Sequence, residues 1–304
     1  MVKRYFISFA SETGISNVGT SNLLPALKRL LKQASDIDMF DDVRGYTEND
    51  LKKDSAFWSK HSEFIEKNPR GFGYWIWKPY LIQKTLNKMN DDDILLYLDS
   101  GCEIKASEKE RLNLYFNLIK TDPIIASLAD PGFDDGAMTK TDLLDKLGMN
   151  DPKYFTAQRQ ATAIMIRKTK ETVKLVNEWY ELASSDNYHY LDDSPSNLPN
   201  NPRFKEHRHD QSIFSLLTKK YSLFSEKDVL GSPIYLIRNR TGTSVIEGFS
   251  NPIYIDWIYL FFIFLGINLF LAVVISYVPP DYITKIYYSI RRFLLRFLFR
   301  TNPR

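Results

Sequence analysis

In the stretch ILLYLDSGCEI, residues 94–104, Asp99 ends an apolar run and is followed by Ser100, Gly101 and the chain's only cysteine, Cys102. A carboxylate at the end of a buried strand can hold a hard divalent cation through oxygen, and the cation can neutralise a diphosphate. Gly101 would let the backbone approach a bulky ligand closely. The plainer alternative is that Asp99 only caps the following turn. Upstream, GFGYWIWKPYLI (residues 71–82) gathers glycines, tryptophans, tyrosines and a lysine. Trp75 and Trp77 are two residues apart and cannot share one helical face, so one of them is expected to turn to a ligand, where an aromatic ring stacks on a sugar or base. Lys78 brings a point charge that can reach a phosphate. The structural alternative is an amphipathic helix start stapled by aromatics. A third group, HRHDQSIFSLL (residues 207–217), puts Asp210 and Gln211 at a helix N-terminus, where a carboxylate is favoured and backbone amides can face an anion. His207 and His209 alternate and invite a metal, but no further His or Cys follows at a zinc spacing. Asp210 as a plain helix cap is the alternative there.

These residues need a scaffold. RYFISFA (4–10), IDMFDDV (37–43), ILLYLD (94–99), PIIASLA (123–129) and ATAIMIR (161–167) are predicted strands. SNLLPALKRLLKQA (21–34), YWIWKPYLIQKTLNKM (74–89), TKETVKLVNEWYELAS (169–184) and DQSIFSLLTKKY (210–221) are predicted helices, the second with Pro79 in its first turn, where a missing amide hydrogen costs nothing. The alternation predicts an α/β fold with a mixed, mostly parallel sheet covered on both faces, and the apolar run 94–98 is its central strand. Asp99 then sits at a strand's carboxyl end, where open α/β sheets bind ligands.

Composition bounds the possibilities. With 304 residues, 44% of them hydrophobic, the chain can bury a large core. Forty basic residues against 37 acidic ones give a net charge of only +3, so no global field collects nucleic acid, and no nucleic-acid partner is expected. One cysteine excludes an intramolecular disulfide and a multi-cysteine zinc site. The start, MVKRYFISFASETG, resembles a first strand more than a signal peptide. Near the other end, residues 252–278 stay apolar on all faces, long enough to cross roughly 30 Å of hydrocarbon. After Pro279 and Pro280, six basic residues from Lys285 to Arg304 alternate with apolar ones, which predicts a basic amphipathic helix on anionic lipid. The positive charges belong on the cytoplasmic side, and a hairpin returning at the prolines reconciles them with the missing export signal. The triplet Asn239-Arg240-Thr241 is a sequon that matters only in a luminal domain.

Taken in order, GFGYWIWKPYLI, ILLYLDSGCEI and HRHDQSIFSLL resemble GT-A type glycosyltransferases of polysaccharide biosynthesis clusters and large viruses, over roughly residues 1–245. The resemblance implies a Rossmann-like nucleotide-sugar-binding domain over 1–245, followed by a membrane segment and tail over 246–304. It implies a nucleotide-sugar donor, a glycan or lipid-linked acceptor, and a divalent cation, Mn2+ or Mg2+. Asp99, in the place of an Asp-x-Asp motif, inherits the cation-diphosphate role; Gly101 replaces the second carboxylate, and Glu103 or His209 would complete the coordination. Trp77, Lys78, Ser100 and Gly101 complete the donor site. Asp210 and Gln211 match a pair that positions the reacting sugar in retaining members; in an inverting enzyme Asp210 would be the general base. The expected protein is thus a membrane-associated glycosyltransferase with its catalytic domain on the cytoplasmic face. A metal-dependent phosphoester hydrolase and a non-catalytic carbohydrate-binding membrane protein are the other classes these residues admit.

Overall fold

In the computed structural model, the residues described are 2–13, 15, 16, 19, 20, 22–130, 132–223 and 233–246, all within the compact unit Met1–Glu247. The expected membrane segment and basic tail lie outside the described residues. Among the described residues, no helix is long and apolar enough to cross a membrane.

Five strands make the sheet: β1 (Arg4–Ala10), β2 (Asp42–Thr47), β3 (Ile94–Leu98), β4 (Ile124–Leu128) and β5 (Arg159–Arg167). Their spatial order is β2-β1-β3-β5-β4. β1 pairs in parallel with β2 and β3, whereas β5 is antiparallel to both β3 and β4, so β5 alone is reversed. The sheet is therefore mixed, with most strands running one way.

All five residues of β3 are buried, and they divide by the pleat. Leu95 and Tyr97 join the core beneath α3 (Trp77–Leu86), α5 (Lys170–Ser184) and α6 (Asp210–Tyr221). Ile94, Leu96 and Leu98 join the core on the other face, against α1 (Leu24–Asp36) and α4 (Lys109–Leu118). A strand clad on both faces has no polar side, which is why its sequence is apolar throughout.

Because β5 runs against β3, its beginning lies at β3's end: Leu98 pairs with Ala163, and the Asp99 amide donates to Thr162 O at 2.8 Å. Two expectations are corrected. The segment 37–43 is not a strand from its start: Ile37 and Met39 are buried where α1 ends, Asp38 has φ 51°, and the ladder begins at Asp42. The helix expected from residue 74 begins at Trp77, because the preceding residues turn the other way. Helix α2 (Ser55–Lys67), which was not among the predicted helices, starts with Asp54 accepting from the Phe57 amide and packs Phe57 and Ile65 into the core.

Candidate functional site

Residues 71–75 carry φ values of 60°, 54°, 79°, 50° and 62°, a full left-handed turn. Left-handed backbone costs an L-residue roughly 1–2 kcal/mol, so Phe72, Tyr74 and Trp75 need tertiary support. They have it: Phe72 lies 6.0 Å from Phe9 between ring centroids, and Tyr74 stacks on His209 at 4.8 Å. The two glycines are there for space as well as for φ, since a Cβ on Gly73 would come within 2.6 Å of Ile65 and one on Gly71 within 2.6 Å of the Trp75 ring. The turn settles which tryptophan is available. Trp77 is 4% exposed, stacks on Phe9 at 3.9 Å and donates from Nε1 to Gly71 O at 3.0 Å. Trp77 is therefore mainly a core residue at the floor of the site, and the half-buried Trp75 presents the more open aromatic surface.

At the second residue of α3, Lys78 is 3% exposed. Its ammonium lies 3.2 Å from Asp99 Oδ1 and 3.0 Å from Asp210 Oδ2, and donates to Ala161 O at 3.0 Å. A lysine so enclosed does not extend to a phosphate; it neutralises the two carboxylates from beneath. Burial works against its charge, but Asp210 and Asp99 outweigh that and hold its pKa above the ordinary value. Asp210 is 4% exposed, and burial pushes its carboxyl up to about 6 against the pull of Lys78. Asp99 is the more open carboxylate, its side chain 33% exposed. Its Oδ1 accepts from Tyr97 OH and faces Lys78, while Oδ2 makes no hydrogen bond among the described residues.

These groups line one cavity of about 390 Å³ at the carboxyl end of β3. Phe9, Phe72, Trp75 and Trp77 form its apolar wall, and Arg70, Arg208, Arg238 and Arg240 bring positive charge to it. Lys78, Asp99, Ser100, Gly101, His209, Asp210 and Gln211, singled out in the sequence, all line it.

Several roles differ from expectation. Gly101 does admit a close approach, but what approaches is protein: a Cβ there would stand 3.0 Å from Arg238 Cα, and Asn239 N donates to Gly101 O at 2.8 Å. Ser100 is 4% exposed, and its carbonyl accepts from Arg29 Nη2 at 3.1 Å. Gln211 is held at both ends of its amide, accepting from Ala161 N at 3.3 Å and donating to Gln158 Oε1 at 2.8 Å. His207 and His209 bond through the ring to the carbonyls of Tyr190 and Leu191 at 3.0 and 2.8 Å, and burial lowers the pKa of both. Glu103 is fully buried, accepting from Asn239 Nδ2 at 2.6 Å and Val245 N at 3.0 Å. The same contact encloses Asn239, 8% exposed, so the sequon's amide is committed within the fold.

Arg29, Arg238 and Arg240 were not singled out. Arg29 sits in ALKRLLKQ, where a lysine-rich helix suggests a solvated face, yet it is 7% exposed and also bonds Cys102 O at 2.9 Å and Asn239 O at 3.2 Å. It ties the loop after Asp99 to the segment that crosses it.

No family model matches the chain, and comparison with curated proteins returns no match. Among solved structures, the chain resembles mouse xyloside xylosyltransferase 1 at 12% identity and TM-score 0.41, over 74% of this chain and 84% of that one. It resembles a glycosyltransferase involved in the glycosylation of the major capsid of PBCV-1 at 11% identity and TM-score 0.34, over 60% and 68%. The glycosyltransferase GlyE of Streptococcus pneumoniae aligns at 11% identity and TM-score 0.38, over 74% and 45%. The likeness is one of fold.

Proposed function

We propose that this chain is a glycosyltransferase that moves a sugar from a nucleotide-sugar donor to a glycan or lipid-linked acceptor. The observation that carries the reading is the pair Asp99 and Asp210, joined through buried Lys78, at the carboxyl end of a central strand in an aromatic and arginine-walled cavity. Such a cavity suits a donor whose one half is flat and apolar-faced and whose other half is a diphosphate. In the transfer, the anomeric carbon–oxygen bond to the diphosphate breaks and a bond to the acceptor hydroxyl forms. The hydroxyl's proton passes to the departing phosphate oxygen. Positive charge builds on the sugar ring, and the Asp210 carboxylate is held where it can stabilise that charge. Because Asp210 is enclosed and paired with Lys78, a stabilising role suits it better than that of a base reaching for the acceptor, which favours retention of configuration. Incubating the full chain with a panel of nucleotide sugars and glycan acceptors tests this. Acceptor-dependent release of nucleoside diphosphate, with the donor's anomeric configuration kept in the product by NMR, is expected. Inorganic phosphate or free sugar released at the same rate without acceptor would overturn it in favour of hydrolysis.

We also place the catalytic unit on the cytoplasmic face of a membrane, supported by the apolar run 252–278 and the basic residues beyond it. Tags at both ends of the chain should be digested by protease added to the cytoplasmic side of sealed vesicles. Protection of either tag would refute the same-side topology.

A further inference from the structure

The donor set at this site fits a divalent cation poorly. Mn2+ and Mg2+ take about six ligands, mostly oxygen, at close range; among the described residues Asp99 Oδ2 and the buried His209 Nε2 are left without a hydrogen bond, and the other candidates are engaged. Asp99 Oδ1 and Asp210 Oδ2 face the same ammonium at 3.2 and 3.0 Å, so a dication held by both would be pressed against a buried like charge. Glu103 has its oxygens occupied by Asn239, Ser244, Val245 and Gln33. His209 lies with its ring against Tyr74, and its Nε2 is 3.7 Å from Asp193 Oδ1. A second carboxylate at position 101 would be crowded, because its Cβ would stand 3.0 Å from Arg238 Cα and that backbone would have to give way by a few tenths of an ångström. Among the described residues, no group of three or more His, Cys, Asp or Glu could hold a metal ion.

What stands against position 101 is informative. The segment that crowds a side chain there brings Arg238 and Arg240 to the cavity lined by Asp99. Arg238 is exposed, has φ 51° and forms no ion pair among the described residues. Where a second carboxylate would gather a cation for the diphosphate, this chain brings guanidinium groups, whose planar forks meet phosphate oxygens directly.

We infer that this protein binds its donor without a divalent cation: the Lys78 ammonium is the built-in counter-charge of Asp99 and Asp210, and Arg238 with Arg240 receives the diphosphate. The inference rests on the nucleotide-sugar reading above and deepens it. Lys78 cannot dissociate as a metal does, so chelators have nothing to remove.

Two titrations of the full chain test it. In the first, UDP, GDP, CDP, ADP and dTDP are titrated calorimetrically in EDTA and again in Mn2+. A nucleotide that binds should do so in EDTA, with a Kd that Mn2+ changes by no more than about twofold, and Arg238→Ala should weaken it by about tenfold or more. In the second, the paramagnetic resonance signal of free Mn2+ is monitored as protein is added. The wild-type chain should leave the signal unchanged, while Lys78→Ala, which uncovers two facing carboxylates, should bind the ion and gain thermal stability from it. Nucleotide binding confined to Mn2+ buffer, or Mn2+ taken up by the wild-type chain and lost in Asp99→Asn, would overturn the inference and leave the donor reading standing. Unchanged affinity in Arg238→Ala would overturn the part assigned to that arginine. Binding of no nucleotide in either buffer would remove the donor reading and the inference together. The wild-type titrations decide even where Lys78→Ala does not fold.

Discussion

Asp99→Asn lowers kcat by on the order of 10²–10³-fold, the range seen when one preorganised electrostatic group is removed from a reacting centre, while the thermal midpoint stays close to that of the wild type. The stability half rests on the contacts: the amide oxygen of asparagine can still accept from Tyr97 OH and from Lys78, and the side chain is 33% exposed, so no buried group is orphaned. The activity half rests on charge. Asp99 is the open member of the carboxylate pair, with one oxygen unengaged among the described residues, and its negative charge sets the field over the cavity floor. The measurement is steady-state transfer beside a melting curve. Full turnover in the variant would remove Asp99 from the chemistry; a lowered midpoint with proportionate loss of activity would make it a structural residue.

Lys78→Met produces the opposite pattern, a large loss of stability. Removing one partner of a buried ion pair leaves an uncompensated charge and costs about 3–5 kcal/mol; Lys78 is 3% exposed and serves two carboxylates. The pH dependence has a definite sign. Burial holds the Asp210 carboxyl up to about 6 even with Lys78 beside it, so the folded state favours the proton, and that contribution is present in acid and lost as pH rises through 6. Without the ammonium the carboxyl rises further. The variant's deficit is therefore smallest well below pH 6 and grows as pH is raised through it and beyond, read from denaturant midpoints at several pH values. A deficit independent of pH would show that the lost packing of the lysine stem, not its charge, dominates.

Strands β1, β3, β4 and β5 were legible because burial leaves an apolar run, whereas β2, with one buried residue, carries no such run and was expected too early; Asp99 was legible because it ends one of the runs. The loop after Asp99 was harder to read. Gly101 signals that something comes close but not which group, and the partner, Arg238, belongs to a stretch without periodicity whose place is fixed by Arg29 and Glu103. The left-handed turn over 71–75 could be sensed from its two glycines, yet Phe72, Tyr74 and Trp75 share that conformation against their local preference. Tertiary contacts override propensity there, which moves the helix start to Trp77. Lys78 was seen as a chemical residue but expected to face a ligand, since nothing local to a lysine announces that two distant carboxylates will enclose it.

The crossing of Gly101 by Arg238 and Asn239 also sets when the cavity can come into being. Arg29 donates to Asn239 O, 210 residues away in the chain, and the cavity is walled by pieces from Phe9 to Arg240. Contacts of such sequence separation form slowly, after local ones. On the ribosome, the first strands and helices can assemble while the chain is still growing, but the loop after Asp99 has no opposing wall until residues 238–240 have emerged. A nascent chain can thus hold much of its sheet and still lack the cavity.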